Sequence, residues 1–233
     1  MKKNYLDFLA EFGIGGAHPG GFSLTKEIFT GLDLPTGASI LEIGCGTGQT
    51  AEYLAAAFDC TITAIDNHSI MLEKAAERLN QRNVVVQYGN AEHLHFPDQT
   101  FDLVIAESVI SFTSSIDQTL HEMSRVLKKE GAMIAIEMTA DRPLCKEQER
   151  EVKHLYGVSA ILTEEEWMEK FKRAGFDSSD LLKTANTFNE EILTEMRLSE
   201  NISEELYDIW DAHHAFISQP DLPLSYRVFY CQT

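Results

Sequence analysis

The chain has 233 residues, and 19 lysines and arginines against 37 aspartates and glutamates leave a formal charge of −18 at pH 7. That length suits one large domain or a domain with an appended cap, and 44% hydrophobic against 24% charged residues is enough to bury a sizeable core, which excludes a disordered chain. The acidity argues against nucleic acid as a partner, because phosphates call for clustered lysine and arginine.

The opening Met1-Lys2-Lys3-Asn4 runs into Asp7 and Glu11 rather than an apolar signal core. No window approaches the roughly 20 apolar residues of a membrane helix. A cytoplasmic location with no membrane partner is therefore expected. Residues 1–35 read as a helical cap or lid, and residues 36–233 as the main domain. In the cap a short helix carries Tyr5, Leu6, Phe8, Leu9 and Phe12, a glycine-rich stretch spans 13–21, and a second helix lies near 24–31. Ala17-His18-Pro19-Gly20-Gly21-Phe22 joins a titratable ring and a fixed φ to two flexible residues. Such a segment can fold over a ligand; alternatively, His18 caps the following helix.

From residue 39 onward, short β-rich runs at 39–43, 61–65, 84–88, 101–106 and 132–138 alternate with amphipathic stretches at 49–58, 70–79 and 116–128. This is the α/β pattern of a parallel sheet covered by helices, with most strands apolar enough to be buried on both faces. Lys128, Lys129 and Gly131 are expected to close the third helix. The charge run 146–153 reads as a solvated helix face within 144–157, which also holds Cys145, His154 and Tyr156. Thr163-Glu164-Glu165-Glu166 has capping-box spacing and opens a helix through Trp167 and Phe171 to a stop at Gly175. Another helix, 203–217, carries Leu206, Trp210, His213 and Phe216 on one stripe, and residues 224–232 form a closing strand.

Cys45, Cys60, Cys145 and Cys231 are scattered without a C-x-x-C pair, so neither zinc nor a disulfide framework is expected. The adjacent His213 and His214 point to different helix faces and make a poor metal pair. No metal is expected.

The strongest signal is Ile40-Leu41-Glu42-Ile43-Gly44-Cys45-Gly46-Thr47-Gly48, a buried strand feeding three alternating glycines and then a helix. Glycine permits the sharp turn and a close backbone approach by a ligand, at the strand end where open α/β sheets bind. Asp66 follows the second strand, at a distance that suits a carboxylate reaching the hydroxyls of a ribose. A dinucleotide fingerprint would need glycine where Gln49 stands, and Glu42 suits a cationic amino group better than a pyrophosphate. A nicotinamide-dependent oxidoreductase is disfavoured on both counts.

With these motifs in order, the stretch from Ser39 to Gly175 resembles the class I S-adenosylmethionine-dependent methyltransferases. Glu42 to Gly48 looks like the family's first motif, Asp66 like its acid after the second strand, and Gly89-Asn90-Ala91-Glu92 like the segment beside the adenine. His95-Phe96-Pro97-Asp98-Gln99-Thr100-Phe101-Asp102-Leu103-Val104 echoes its P-F-x-D-x-x-F-D pattern. The resemblance implies a Rossmann-like, mostly parallel seven-stranded sheet with helices on both faces and the last strand antiparallel. It also implies S-adenosyl-L-methionine as cofactor. Gly44 and Gly46, with Cys45 and Gly48 in the same turn, would face the methionine portion, Glu42 its amino group, Asp66 the ribose, and Asn67, Asn90, Ala91 and Glu92 the adenine. Asn90 stands where many relatives have Asp, and His68 where a small hydroxyl residue is common.

Methyl transfer is an in-line displacement that depends on alignment and exclusion of water; a base helps when the acceptor must lose a proton. Glu107, just past the fourth strand, and His18 are the catalytic candidates, Glu107 having a solvated loop carboxylate as its plain alternative. Tyr5, Phe22, Ser108, His154, Tyr156, Trp210 and His213 are candidate acceptor contacts. The helical insertion around 188–222 would form a wall of the acceptor pocket, or else pack on the sheet edge or against a second subunit in a homodimer. The expected reaction is methyl transfer to a small-molecule acceptor. Methylation of protein or RNA, or non-catalytic binding of the nucleoside, are the alternatives.

Overall fold

The computed structural model describes residues 3–185, 195–219 and 222–233. Residues 188–194 and 220–221 of the expected insertion lie outside the described residues. Five apolar runs become parallel strands: β1 (Ala38–Ile43), β2 (Cys60–Asp66), β3 (Val84–Tyr88), β4 (Phe101–Glu107) and β5 (Leu127–Ala140). With β6 (Ser178–Ala185) and β7 (Leu224–Gln232) they form a seven-stranded sheet in the order β3-β2-β1-β4-β5-β7-β6, with β7 antiparallel to both of its neighbours. Strand order reverses between β1 and β4, which opens a crevice at their carboxyl ends.

The two-residue period of the strands sorts the core. Ile40, Leu103, Ile105 and Ile134 face α2 (Gly21–Thr30), α3 (Gln49–Ala57) and α4 (Ser69–Leu79). Leu41, Val104, Met133 and Ala135 face α5 (Ile116–Val126) and α7 (Glu164–Arg173), where Trp167 and Phe171 are fully buried. Helix α7 begins as expected, with Thr163 and Glu166 bonding reciprocally.

A third cluster closes the carboxyl edge. It joins Phe8 and Leu9 of α1 (Tyr5–Phe12), Val152 and Tyr156 of α6 (Lys146–Tyr156), and Leu206 and Phe216 of α8 (Glu204–Ile217) to Met138 and Leu224. The N-terminal cap thus leans on the late insertion, where Trp210 meets the Phe8 and Phe12 rings edge-on and tilted at 5.7 and 5.1 Å. Among the described residues no helix is long and apolar enough to cross a membrane.

One element differs from expectation. The helix expected over 116–128 ends at Val126, and Leu127 already belongs to β5. Lys128, Lys129 and Gly131 do not form a helix terminus. They make an irregularity in the strand, where pairing jumps from Phe101 with Leu127 to Leu103 with Ala132 and Glu130 adopts φ +66°. The cause is tertiary: Lys128 Nζ lies 2.8 Å from Asp102 and 3.3 Å from Ser39 Oγ, holding this end of β5 on β4 and β1.

Candidate active site

A cavity of about 440 Å³ opens at the carboxyl ends of β1, β2 and β4, a size that suits a small-molecule site. Its floor is the glycine turn, in which Gly44, Gly46 and Gly48 all have positive φ. Gly48 serves packing, since a Cβ there would stand 2.8 Å from Leu79 Cδ1, and it is not part of the lining. Cys45 lines the floor as a buried thiol, its pKa raised by burial and by the nearby Glu42.

Glu42 sits beneath this floor, 4% exposed, with Oε2 lacking any hydrogen-bond partner. Burial, then the charges of Glu107 and Asp66, push its carboxyl well above the usual range. Asp66 is arranged differently: Oδ2 accepts from Gly46 N at 2.9 Å and Oδ1 from His68 N at 2.8 Å. Burial raises its pKa against those two amides. Each oxygen keeps a further acceptor position for a ligand. Asn67, Asn90, Ala91 and Glu92 line the same end. The Asn90 side-chain oxygen is already engaged, accepting from Glu92 N at 2.9 Å, and Glu92 in turn accepts from Ser115 N at 2.6 Å.

The structure joins His18 and Glu107, which the sequence presents as separate candidates. Thr25 Oγ1 donates to Glu107 Oε1 at 2.7 Å and Thr50 Oγ1 to Oε2 at 2.6 Å. His18 Nε2 lies 3.0 Å from Thr25 Oγ1 and 3.6 Å from Glu107, while Nδ1 lies 3.0 Å from Pro19 O. Both ring nitrogens face oxygens, and the ring is 4% exposed at the cavity wall. Nothing in the local sequence around Thr25 or Thr50 signals this chain.

Beyond Glu107 the backbone turns through Ser108, at φ +59°, into a short 3-10 turn at Ile110–Phe112. Glu137, fully buried at the end of β5, sets that turn. Its Oε1 accepts from Val109 N at 3.0 Å and Ile110 N at 2.8 Å, and its Oε2 from Ser111 Oγ at 2.7 Å. Burial nonetheless pushes its carboxyl up to about 7. Sequence reading missed Glu137, although a lone acid in the apolar run Met133-Ile134-Ala135-Ile136-Glu137-Met138 is a visible signal.

Helix α1 roofs the cavity through Tyr5, Leu6 and Leu9. At its start Asp7 lies 3.4 Å from His68 Nε2. At its end Lys74 Nζ donates to Ala10 O at 2.8 Å, Glu11 O at 3.1 Å and Arg197 O at 2.6 Å, which suits a cation at a helix C-terminus. Residues 13–15 pair with 195–197 through Gly15 N to Glu195 O and Arg197 N to Gly13 O.

Of the candidate acceptor contacts, Tyr5, Ser108 and Tyr156 line the cavity. The others lie outside its lining. His154 is exposed, because the buried stripe of α6 runs through Val152 and Tyr156 and leaves residue 154 on the outer face. Trp210 packs on α1. Phe22 meets the Tyr53 ring edge-on at 5.8 Å and carries Lys26 Nζ over its face. His213 stands behind the wall, its Nδ1 3.0 Å from the Tyr156 hydroxyl, with its pKa lowered to about 4 by burial and by His214.

Comparison with known proteins agrees with this geometry. The family model described as a methyltransferase domain matches residues 41–135. An uncharacterized methyltransferase of Bacillus subtilis, YodH, is 36% identical over 213 residues, covering 90% of this chain and 91% of that one. The 27-O-demethylrifamycin SV methyltransferase of Amycolatopsis mediterranei is 29% identical over 167 residues, covering 66% and 59%. Among solved structures, phosphoethanolamine N-methyltransferase 2 of Haemonchus contortus, in complex with phosphomonomethylethanolamine and S-adenosylhomocysteine, superposes with a TM-score of 0.79 at 21% identity, over 97% of this chain and 57% of that one.

The residues fit the cofactor of such enzymes: a buried, partnerless carboxylate oxygen suits its ammonium, and the open acceptor positions of Asp66 suit two ribose hydroxyls. The chain belongs to the class I S-adenosylmethionine-dependent methyltransferases.

Proposed function

We propose that this methyltransferase acts on a small-molecule acceptor, with the residues of the glycine-turn cavity holding the cofactor and the His18–Thr25–Glu107 chain beside the acceptor. One observation carries the reading: Glu42 Oε2 is buried without a partner next to a turn whose flanking acid, Asp66, still has acceptor capacity. An orphaned buried acceptor costs about 1–3 kcal/mol, and more when charged, so a ligand cation there is strongly favoured.

S-adenosylmethionine supplies a methyl group on a sulfonium, whose carbon–sulfur bond breaks with its electron pair going to sulfur as the acceptor atom bonds the carbon. Glu42 holds the amino group, Asp66 accepts from the ribose, and Gly44 and Gly46 allow close backbone approach. Asn67 lies against the adenine and the Ala91 amide reads its polar edge. Asn90 fixes that loop through Glu92 N and keeps a second acceptor position on the same oxygen for the adenine's exocyclic amine. Glu107, braced by two threonine hydroxyls, receives the proton an acceptor gives up, and His18 stands ready to share that charge. Helix α1 excludes water.

A small acceptor is supported by the roof, which leaves a cavity rather than an open face, and by a net charge of −18 that repels nucleic acid. The relative from Amycolatopsis mediterranei carries a small-molecule acceptor in its name. Calorimetry with S-adenosylhomocysteine tests the cofactor half. Wild type should bind, Glu42→Gln should bind at least tenfold more weakly, and a wild-type chain that does not bind ends the reading. The catalytic half is tested by His18→Ala and Glu107→Gln, which should lower turnover far more than S-adenosylhomocysteine affinity. The reverse pattern would assign them to the cofactor pocket instead.

A further inference from the structure

The cavity divides by strand order. The ends of β2 and β3 carry Asp66 and Asn90, while across β1 the ends of β4 and β5 carry Glu107, Ser108 and Met138. The second side, past the glycine turn, is where an acceptor has room. Its walls are Tyr5, Phe112, Met138 and Tyr156. The Tyr5 ring stacks on Phe112 at 6.3 Å with 6° between planes and meets Tyr156 edge-on at 4.8 Å. Both tyrosines are buried, with their pKa values raised by desolvation, and they present neutral surface. The polar groups here are the hydroxyls of Ser108, Thr113 and Ser114, the carboxylate of Glu107 and the His18 ring beside it.

The charges that reach the cavity are acidic: Glu42, Asp66, Glu92 and Glu107 line it, and among the described residues no lysine or arginine does. The cations nearby on α4 are committed elsewhere. Lys74 gives its donors to three carbonyls, and Arg78 bonds Thr47 O and pairs with Glu52 and Glu195. An acceptor with a phosphate or carboxylate would find repulsion from Glu107 and, with the His18 ring already facing Glu107 and Thr25, no lysine or arginine among the described residues to pair its charge. A flat apolar body finds an aromatic box, the lining typical of sites that take such ligands.

We propose that the methyl acceptor carries no negative charge, neutral or cationic, with a flat apolar body laid against the joined rings of Tyr5, Phe112 and Tyr156 and its reacting atom turned toward Glu107. The proposal rests on the methyltransferase reading of the same cavity and narrows its substrate class.

The experiment uses the full chain saturated with S-adenosylhomocysteine and follows its melting temperature with four probes: a phenol, an aryl amine, phosphoethanolamine and malonate. Formation of S-adenosylhomocysteine from S-adenosylmethionine with the same probes is measured in parallel. The phenol or the aryl amine should raise the melting temperature further, or be methylated, at concentrations at least tenfold lower than either anion requires. Tyr5→Ala should abolish that response while S-adenosylhomocysteine still binds, and Tyr5→Phe should keep it. Equal or stronger response to phosphoethanolamine or malonate overturns the proposal, as does silence from all four probes. Calorimetry with S-adenosylhomocysteine alone separates that outcome from failure of the cofactor site.

Discussion

Val109 fills the space that a side chain at Gly44 would need: a Cβ built there would collide with Val109 Cγ2, on a backbone already at φ +68°. The glycine turn and the loop after β4 are therefore fitted to each other. Gly44→Ala should lose about 2–4 kcal/mol of stability, from φ strain together with overpacking, and more than tenfold in S-adenosylhomocysteine affinity. Adding Val109→Ala should return part of the stability in denaturant melts. A double variant no more stable than Gly44→Ala would mean the two residues are not coupled.

Asp66 has two duties that substitution separates. Its oxygens hold Gly46 N and His68 N, so Asp66→Ala loosens the turn in addition to losing ligand contacts. Affinity for S-adenosylhomocysteine should fall by about 1.5–3 kcal/mol, the range for hydrogen bonds to a charged group. Asp66→Asn keeps one oxygen acceptor and should fall less. Calorimetry on both variants checks the order, and an Ala variant that is folded and binds normally would remove Asp66 from the site.

Glu137 makes stability depend on pH. Its carboxyl titrates near 7 in the folded chain against about 4.3 when unfolded. Between those values the folded state holds the proton and the unfolded state does not. The contribution is thus fully present below about pH 4 and is lost as pH rises to about 7, on the order of 4 kcal/mol at most. Glu42 and Asp66, also raised, add slopes of the same sign. Melts of wild type and Glu137→Gln from pH 5 to pH 8 should show the variant with the flatter profile. Identical slopes would place the titration elsewhere.

Lys74 should behave as a clamp. Lys74→Met removes three hydrogen bonds to carbonyls, and about 1–3 kcal/mol of stability should go with them. Limited proteolysis should cut the variant near residues 13–20 faster than wild type. Unchanged cleavage would show that the aromatic contacts of α1 and the pairing of 13–15 with 195–197 hold the segment without Lys74.

Much of this molecule was legible in its sequence because the relevant signals are local. Strands such as 84–88 and 224–232 announce themselves by composition, and their bounds match β3 and β7, although β3 is an edge strand that leaves Val85 and Tyr88 exposed. The glycine turn is read from spacing alone. Where partners come from afar, the sequence is mute. Lys128 and Gly131 look like a helix end until Asp102 and Ser39 draw Lys128 into the sheet. Thr25 and Glu107 are 82 positions apart, and no periodicity links them. The outward face of His154 and the supporting place of His213 likewise follow from how α6 and α8 pack, which local pattern does not dictate.

The stitching of residues 13–15 to 195–197, with Lys74 tying the end of α1 at Ala10 and Glu11 to Arg197, has a mechanical corollary. Two stretches from opposite halves of the polypeptide are joined there, and Ile14 of the first lines the cavity. Loosening either stretch therefore loosens the other, and the roof that α1 makes over the cavity goes with them.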